Sequence, residues 1–116
     1  MRNLNVYIDK DTYDRLFHIA KTLKYFKIIN DIEIPNLNKT FYHIIKTWAC
    51  KLEEFDIDLF KIRYKRQDKC KNIHIYLSEH DISLIGKTSN EYNLIKSNKE
   101  PNLYKTINLM INFYEI

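Results

Sequence analysis

The chain repeats itself, and the order of the repeated pieces restricts its fold more than any other feature. Residues 3–9 (NLNVYID) align with residues 72–78 (NIHIYLS), and residues 35–41 (PNLNKTF) align with residues 101–107 (PNLYKTI). Each half therefore reads as a short alternating strand, a helix, a Pro-Asn-Leu turn and a second helix. The strands are offset by 69 positions and the turns by 66, so the second half is three residues shorter between its helices. A lone strand leaves its backbone groups unpaired. Half of a 116-residue chain is also marginal for burying a core alone. The two copies must share one core and pair their strands.

In the first strand Leu4, Val6 and Ile8 point one way and Asn3, Asn5 and Tyr7 the other. Asp9 stands where a helix N-cap belongs, and Asp11 adds a favourable charge to the first turn. The next helix carries Tyr13, Leu16, Phe17, Ala20 and Leu23 on one stripe and is expected to end between Phe26 and Asn30, before Pro35. Asn38 is the expected cap of the second helix, with Leu37 and Tyr42 spaced as a hydrophobic staple. Phe41, Ile44, Ile45, Trp48, Ala49 and Leu52 give that helix its buried stripe. In the second half Ile73, Ile75 and Leu77 face inward, and Asn72, His74 and Tyr76 face outward. Ser78 and Asp81 have capping-box spacing, Ile82, Ile85, Ser89 and Tyr92 make a weaker stripe, and Ile107, Met110, Ile111 and Tyr114 make the last one. The expected division is a first unit over 1–54, a basic connector over 55–71 and a second unit over 72–116.

Several function classes find no support in the residues. No apolar run reaches 18 residues and the N-terminus lacks an apolar leader segment, so an intracellular protein with no membrane role is expected. Cys50 and Cys70 are not in a CxxC or zinc-ligand spacing, and both are expected to be unpaired thiols. His18, His43, His74 and His80 lack the spacing of a metal set. No Gly-rich loop accompanies Asp56 and Asp58, so neither an enzyme, a cofactor nor a small-molecule substrate is expected.

The net charge of +4 is concentrated: Lys61, Arg63, Lys65, Arg66, Lys69 and Lys71, against Asp68, put +5 into residues 61–71. That distribution suits a polyanion. Antiparallel pairing of the strands would put the apolar residues on one face, under four helices, and the polar ones on the other. A two-stranded ribbon of that kind fits the major groove of DNA, where Asn can form paired hydrogen bonds with adenine. At the starts of the second helices, Asn38-Lys39-Thr40 and Tyr104-Lys105-Thr106 place a cation and a hydroxyl where a helix presents N–H groups to phosphate.

With this layout the chain resembles the ribbon-helix-helix family of DNA-binding regulators over nearly its whole length, taken as two tandem copies. More narrowly it is similar to small regulators encoded by viruses of hyperthermophilic archaea. The resemblance implies an α+β, mostly helical fold: two ribbon-helix-helix units in one chain forming a pseudo-dimer, with a two-stranded antiparallel ribbon over four helices. It also implies a sequence-specific transcription regulator whose partner is operator DNA in the cytoplasm of the cell, or of the host if the protein is viral. A homodimer or higher oligomer on adjacent half-sites is compatible with it. Base contacts are implied for Asn3, Asn5, Tyr7, Asn72, His74 and Tyr76. Phosphate contacts are implied for Asn38, Lys39, Thr40, Tyr104, Lys105 and Thr106, and the charge patch adds Arg63, Lys65, Arg66, Lys69 and Lys71. The chain departs from the family pattern in lacking Arg, Lys and Gln among the outward strand residues, in using Pro-Asn where the turn usually has Gly, and in opposing Asn5 to His74. The alternative functions are an antitoxin of a toxin–antitoxin pair and a protein-interaction module without a DNA role.

Overall fold

The structure, a computed structural model, describes residues 2–50 and 70–114. The elements are β1 (Arg2–Asp9), α1 (Lys10–Thr22), β2 (Phe26–Ile29), β3 (Ile32–Pro35), α2 (Leu37–Cys50), β4 (Cys70–Leu77), α3 (Glu79–Glu91) and α4 (Leu103–Asn112). The fold is α+β, with two small antiparallel two-stranded sheets and, among the described residues, four helices. β1 pairs with β4 across a long stretch of chain, and β2 pairs with β3 as a local hairpin.

The alternation read from the sequence decides which side of the β1–β4 ribbon meets the core. Val6, Ile8, Ile73, Ile75 and Leu77 are buried and Leu4 is half-buried, whereas Asn3, Asn5, Tyr7, Asn72, His74 and Tyr76 are exposed. Opposed pairs run from Asn3 with Tyr76, through Asn5 with His74, to Tyr7 with Asn72. β4 begins at Cys70, so Cys70 and Lys71 belong to the ribbon and not to a connector. Arg63, Lys65, Arg66 and Lys69 lie outside the described residues, as does Leu52.

The helices bury matching positions. α1 buries Thr12, Leu16, Ile19 and Ala20; α3 buries Asp81, Ile85, Thr88 and Ser89, each 69 places later. Phe41, Ile44, Ile45 and Trp48 in the first half correspond to Ile107, Met110, Ile111 and Tyr114 in the second, and all eight are buried. The Trp48 indole N–H donates to the Met110 carbonyl at 2.9 Å and its ring meets Tyr92 edge-on, which joins the halves in one core. Ile19 belongs to that core although the α1 stripe read from sequence omitted it; Tyr13 and Phe17, included there, are only half-buried.

Four local expectations are corrected. α1 stops at Thr22, well before Phe26, because Lys24 turns the chain with a left-handed φ of 59°. The residues beyond it form the β2–β3 hairpin, turned by Asn30 and Asp31 with φ of 51° and 62°. The Asp9 carboxylate occupies the N-cap position of α1 but makes no capping bond there; it is buried and accepts the Tyr104 hydroxyl. The cap of α2 is Asn36, whose side-chain oxygen accepts the Lys39 N–H at 3.0 Å, because Leu37 and Asn38 are already helical. With the cap at Asn36, Leu37 is the first helical residue, so Leu37 and Tyr42 do not have staple spacing; Tyr42 is 44% exposed and carries the Lys46 ammonium 4.9 Å from its ring centre.

Candidate nucleic-acid interface

The exposed side of the ribbon is built by alternation alone. Six polar side chains stand in three cross-strand pairs, and the tyrosines are more than half exposed, Tyr7 at 54% and Tyr76 at 57%. Large aromatic rings held in water on a rigid strand offer contact area at low entropic cost. Lys71 is opposed to Ile8 and shares the alternation phase of the inward residues, yet it is exposed at the end of the ribbon.

A helix N-terminus stands against each long edge of the ribbon, and the two are constructed alike. In both second helices the Asn of Pro-Asn-Leu caps the N–H of the following Lys: Asn36 to Lys39 at 3.0 Å, Asn102 to Lys105 at 3.1 Å. The carbonyl of each Asn accepts a threonine hydroxyl, Thr40 at 2.8 Å and Thr106 at 2.7 Å. Each Asn N–H is anchored by the loop after the preceding helix, Asn36 to the Tyr25 carbonyl and Asn102 to the Leu94 carbonyl, both at 2.9 Å.

The helix starts also bond to the strand of the other half. The Asn38 side-chain oxygen accepts the backbone N–H of Tyr76 at 2.7 Å, fixing α2 to β4. The Asn108 side-chain oxygen accepts the Asp9 N–H at 3.2 Å, and Tyr104 donates to the Asp9 carboxylate, fixing α4 to β1. A cleft of ≈ 560 Å³ separates Asn72 and His74 of β4 from the α2 start, with Lys27 and Glu33 on its wall. One of ≈ 430 Å³ separates Asn5 and Tyr7 of β1 from the α4 start, with Lys96 and Lys105 on its wall.

This geometry sorts the residues for which phosphate contacts were expected. Lys39 and Lys105 are exposed at the two helix starts. The Lys39 ammonium rests 4.6 Å from the ring centre of Tyr25, whose hydroxyl lies 3.4 Å from His43 Nδ1. Thr40 and Thr106 are both fully buried, and their hydroxyls serve the turns. The Asn38 oxygen and the Tyr104 hydroxyl are engaged with the ribbon strands, so their side chains position the helix starts. Lys27 and Lys96 are cations that sequence reasoning missed, because nothing in their local pattern places them beside the strands.

Among the described residues no group of three or more His, Cys, Asp or Glu side chains is arranged to hold a metal ion. Among the same residues no helix is long and apolar enough to cross a membrane. No family model, curated protein or solved structure matches the chain.

Proposed function

We propose that the chain is a tandem ribbon-helix-helix regulator, two β-α-α halves forming a pseudo-dimer, which binds operator DNA with the β1–β4 ribbon in the major groove. The observation that carries this reading is the ribbon's outer face: six exposed polar side chains in antiparallel register, with a capped helix start and an exposed lysine on either side. A two-stranded ribbon fits the width of that groove, and the polar strand residues supply donors and acceptors for base edges. The helix starts bring partial positive charge and a lysine to the phosphates on each side. Phosphate contacts give sequence-independent affinity, and the strand residues give discrimination.

Mobility shifts test the reading. The protein should retard mixed-sequence duplexes at low salt. Lys39→Ala and Lys105→Ala should each weaken binding to all sequences alike and lower the slope of log affinity against log salt by about 1. Absence of a shift with any duplex at low salt contradicts it.

A second reading, a protein-interaction module, draws on the β2–β3 hairpin. There Ile28 is 75% exposed and Ile32 62% exposed, alongside Ile29 and Phe26. Clustered exposed apolar side chains are a common mark of protein contact. That reading predicts unaltered mobility of DNA and loss of a partner on Ile28→Lys.

A further inference from the structure

The register of the ribbon sets one pair of residues apart. Asn5 is opposed to His74, which is also its counterpart in the repeat, so the local two-fold relating the strands passes through this pair. The same operation exchanges the neighbouring pairs, Asn3 with Tyr76 at one end and Tyr7 with Asn72 at the other. Each end of the ribbon therefore presents one Tyr and one Asn. The helix starts beyond are matched as well, with Lys39 and Lys105 behind identical asparagine caps. Lys27 on one flank and Lys96 on the other differ in position, but cations meet phosphates, which carry no sequence. Among the outward ribbon residues the symmetry fails at the centre alone.

We infer that, granted the DNA-binding reading above, the preferred site is an inverted repeat with matching arms and an unmatched centre. Asn5 and His74 are the specificity-determining residues that fix which way round the chain lies. Asn5 carries a donor and an acceptor on one amide, which match adenine's N7 acceptor and N6 amino donor. The His74 imidazole has two ring nitrogens facing apart and cannot form that bidentate contact. The base favoured beside one is therefore not the base favoured beside the other, whereas the Tyr and Asn of the two arms make equivalent demands. A duplex that is a perfect palindrome satisfies one half of the centre only.

Selection of bound duplexes from a random pool, run with the wild-type chain, with His74→Asn and with Asn5→His, tests this. The wild-type chain should enrich matching inverted arms around a centre that is not its own reverse complement, with adenine on one side. His74→Asn should convert the centre to a palindrome with adenine on both sides and leave the arms unchanged; Asn5→His should remove the adenine and give the other palindrome. Discrimination at the central positions should be about 5- to 150-fold, the range of one good base contact. Both positions are exposed, so neither change disturbs the core. A palindromic centre with the wild-type chain, unmatched arms, or a centre indifferent to both substitutions overturns the inference while DNA binding stands. Enrichment of no duplex, with no shift at low salt, overturns the reading beneath it and the inference together.

Discussion

Asp81 joins the two halves through a single carboxylate. It accepts the Ser78 hydroxyl at 2.9 Å and the Ser78 N–H at 3.4 Å, completing the capping box of α3, and its other oxygen faces the Lys46 ammonium of α2 at 3.3 Å. At 3% exposure it is shielded from water that would compensate for a lost partner. Asp81→Ala should cost about 1–3 kcal/mol in urea unfolding, whereas Asp14→Ala on the exposed side of α1 should cost less than about 0.5 kcal/mol. Two groups bear on stability at alkaline pH. Desolvation pulls the Lys46 ammonium down, but the hydrogen bonds and charges of Asp81 and Tyr42 outweigh it, and its pKa stands above the ordinary 10.5. Burial raises Tyr114 above 10.0 against the opposing hydrogen bond from Thr47. Both groups keep the protonated form longer when folded than when unfolded, so their stabilisation is whole below those ordinary values and disappears as pH climbs through the raised ones. The unfolding midpoint should therefore fall above about pH 10, and less steeply in Tyr114→Phe. The Ser78–Asp81 box was legible in the sequence because its partners are three residues apart. The role of Asp9 was not, because Tyr104 and Asn108 approach it from the far end of the chain.

The strands were legible because period-two alternation has one meaning on a half-buried ribbon, and their pairing followed from the repeat. The end of α1 was hidden for a local reason. A left-handed residue usually announces itself as Gly, and here Lys24 and Asn93 occupy equivalent helix ends with φ of 59° and 55°. The hairpin turn is hidden in the same way, since Asn30-Asp31 lacks the Gly that marks such turns. Lys24→Gly should stabilise the protein by about 0.5–1 kcal/mol, and Asn93→Gly by less, because Asn tolerates this conformation better than Lys. Sequence spacing places the second-helix cap two residues late, at Asn38, where Asn36 of Pro-Asn-Leu does the capping in the first half as Asn102 does in the second. Asn36→Ala and Asn102→Ala should each cost about 1 kcal/mol, measured as a shift in the denaturant midpoint.

At the scale of the whole molecule the halves hold each other's strands in place. β1 is bonded to α4 through Asp9, β4 to α2 through Tyr76 and Asn38, and Trp48 spans from α2 to α4. A core shared in this way should unfold once: Trp48 fluorescence and far-ultraviolet dichroism should trace the same transition, and Phe41→Ala, emptying a fully buried site, should cost about 3–5 kcal/mol. The outer face of the ribbon contributes little to that core, which leaves its polar residues available for the proposed contact with DNA. Nuclear magnetic resonance titration with a short duplex addresses that contact directly. The account predicts that the side-chain amides of Asn3, Asn5 and Asn72, the His74 ring and the Tyr7 and Tyr76 rings shift first and most, together with the amides of Lys39 and Lys105. Shifts confined to the β2–β3 hairpin, or none at any ribbon residue while the duplex binds, would contradict it.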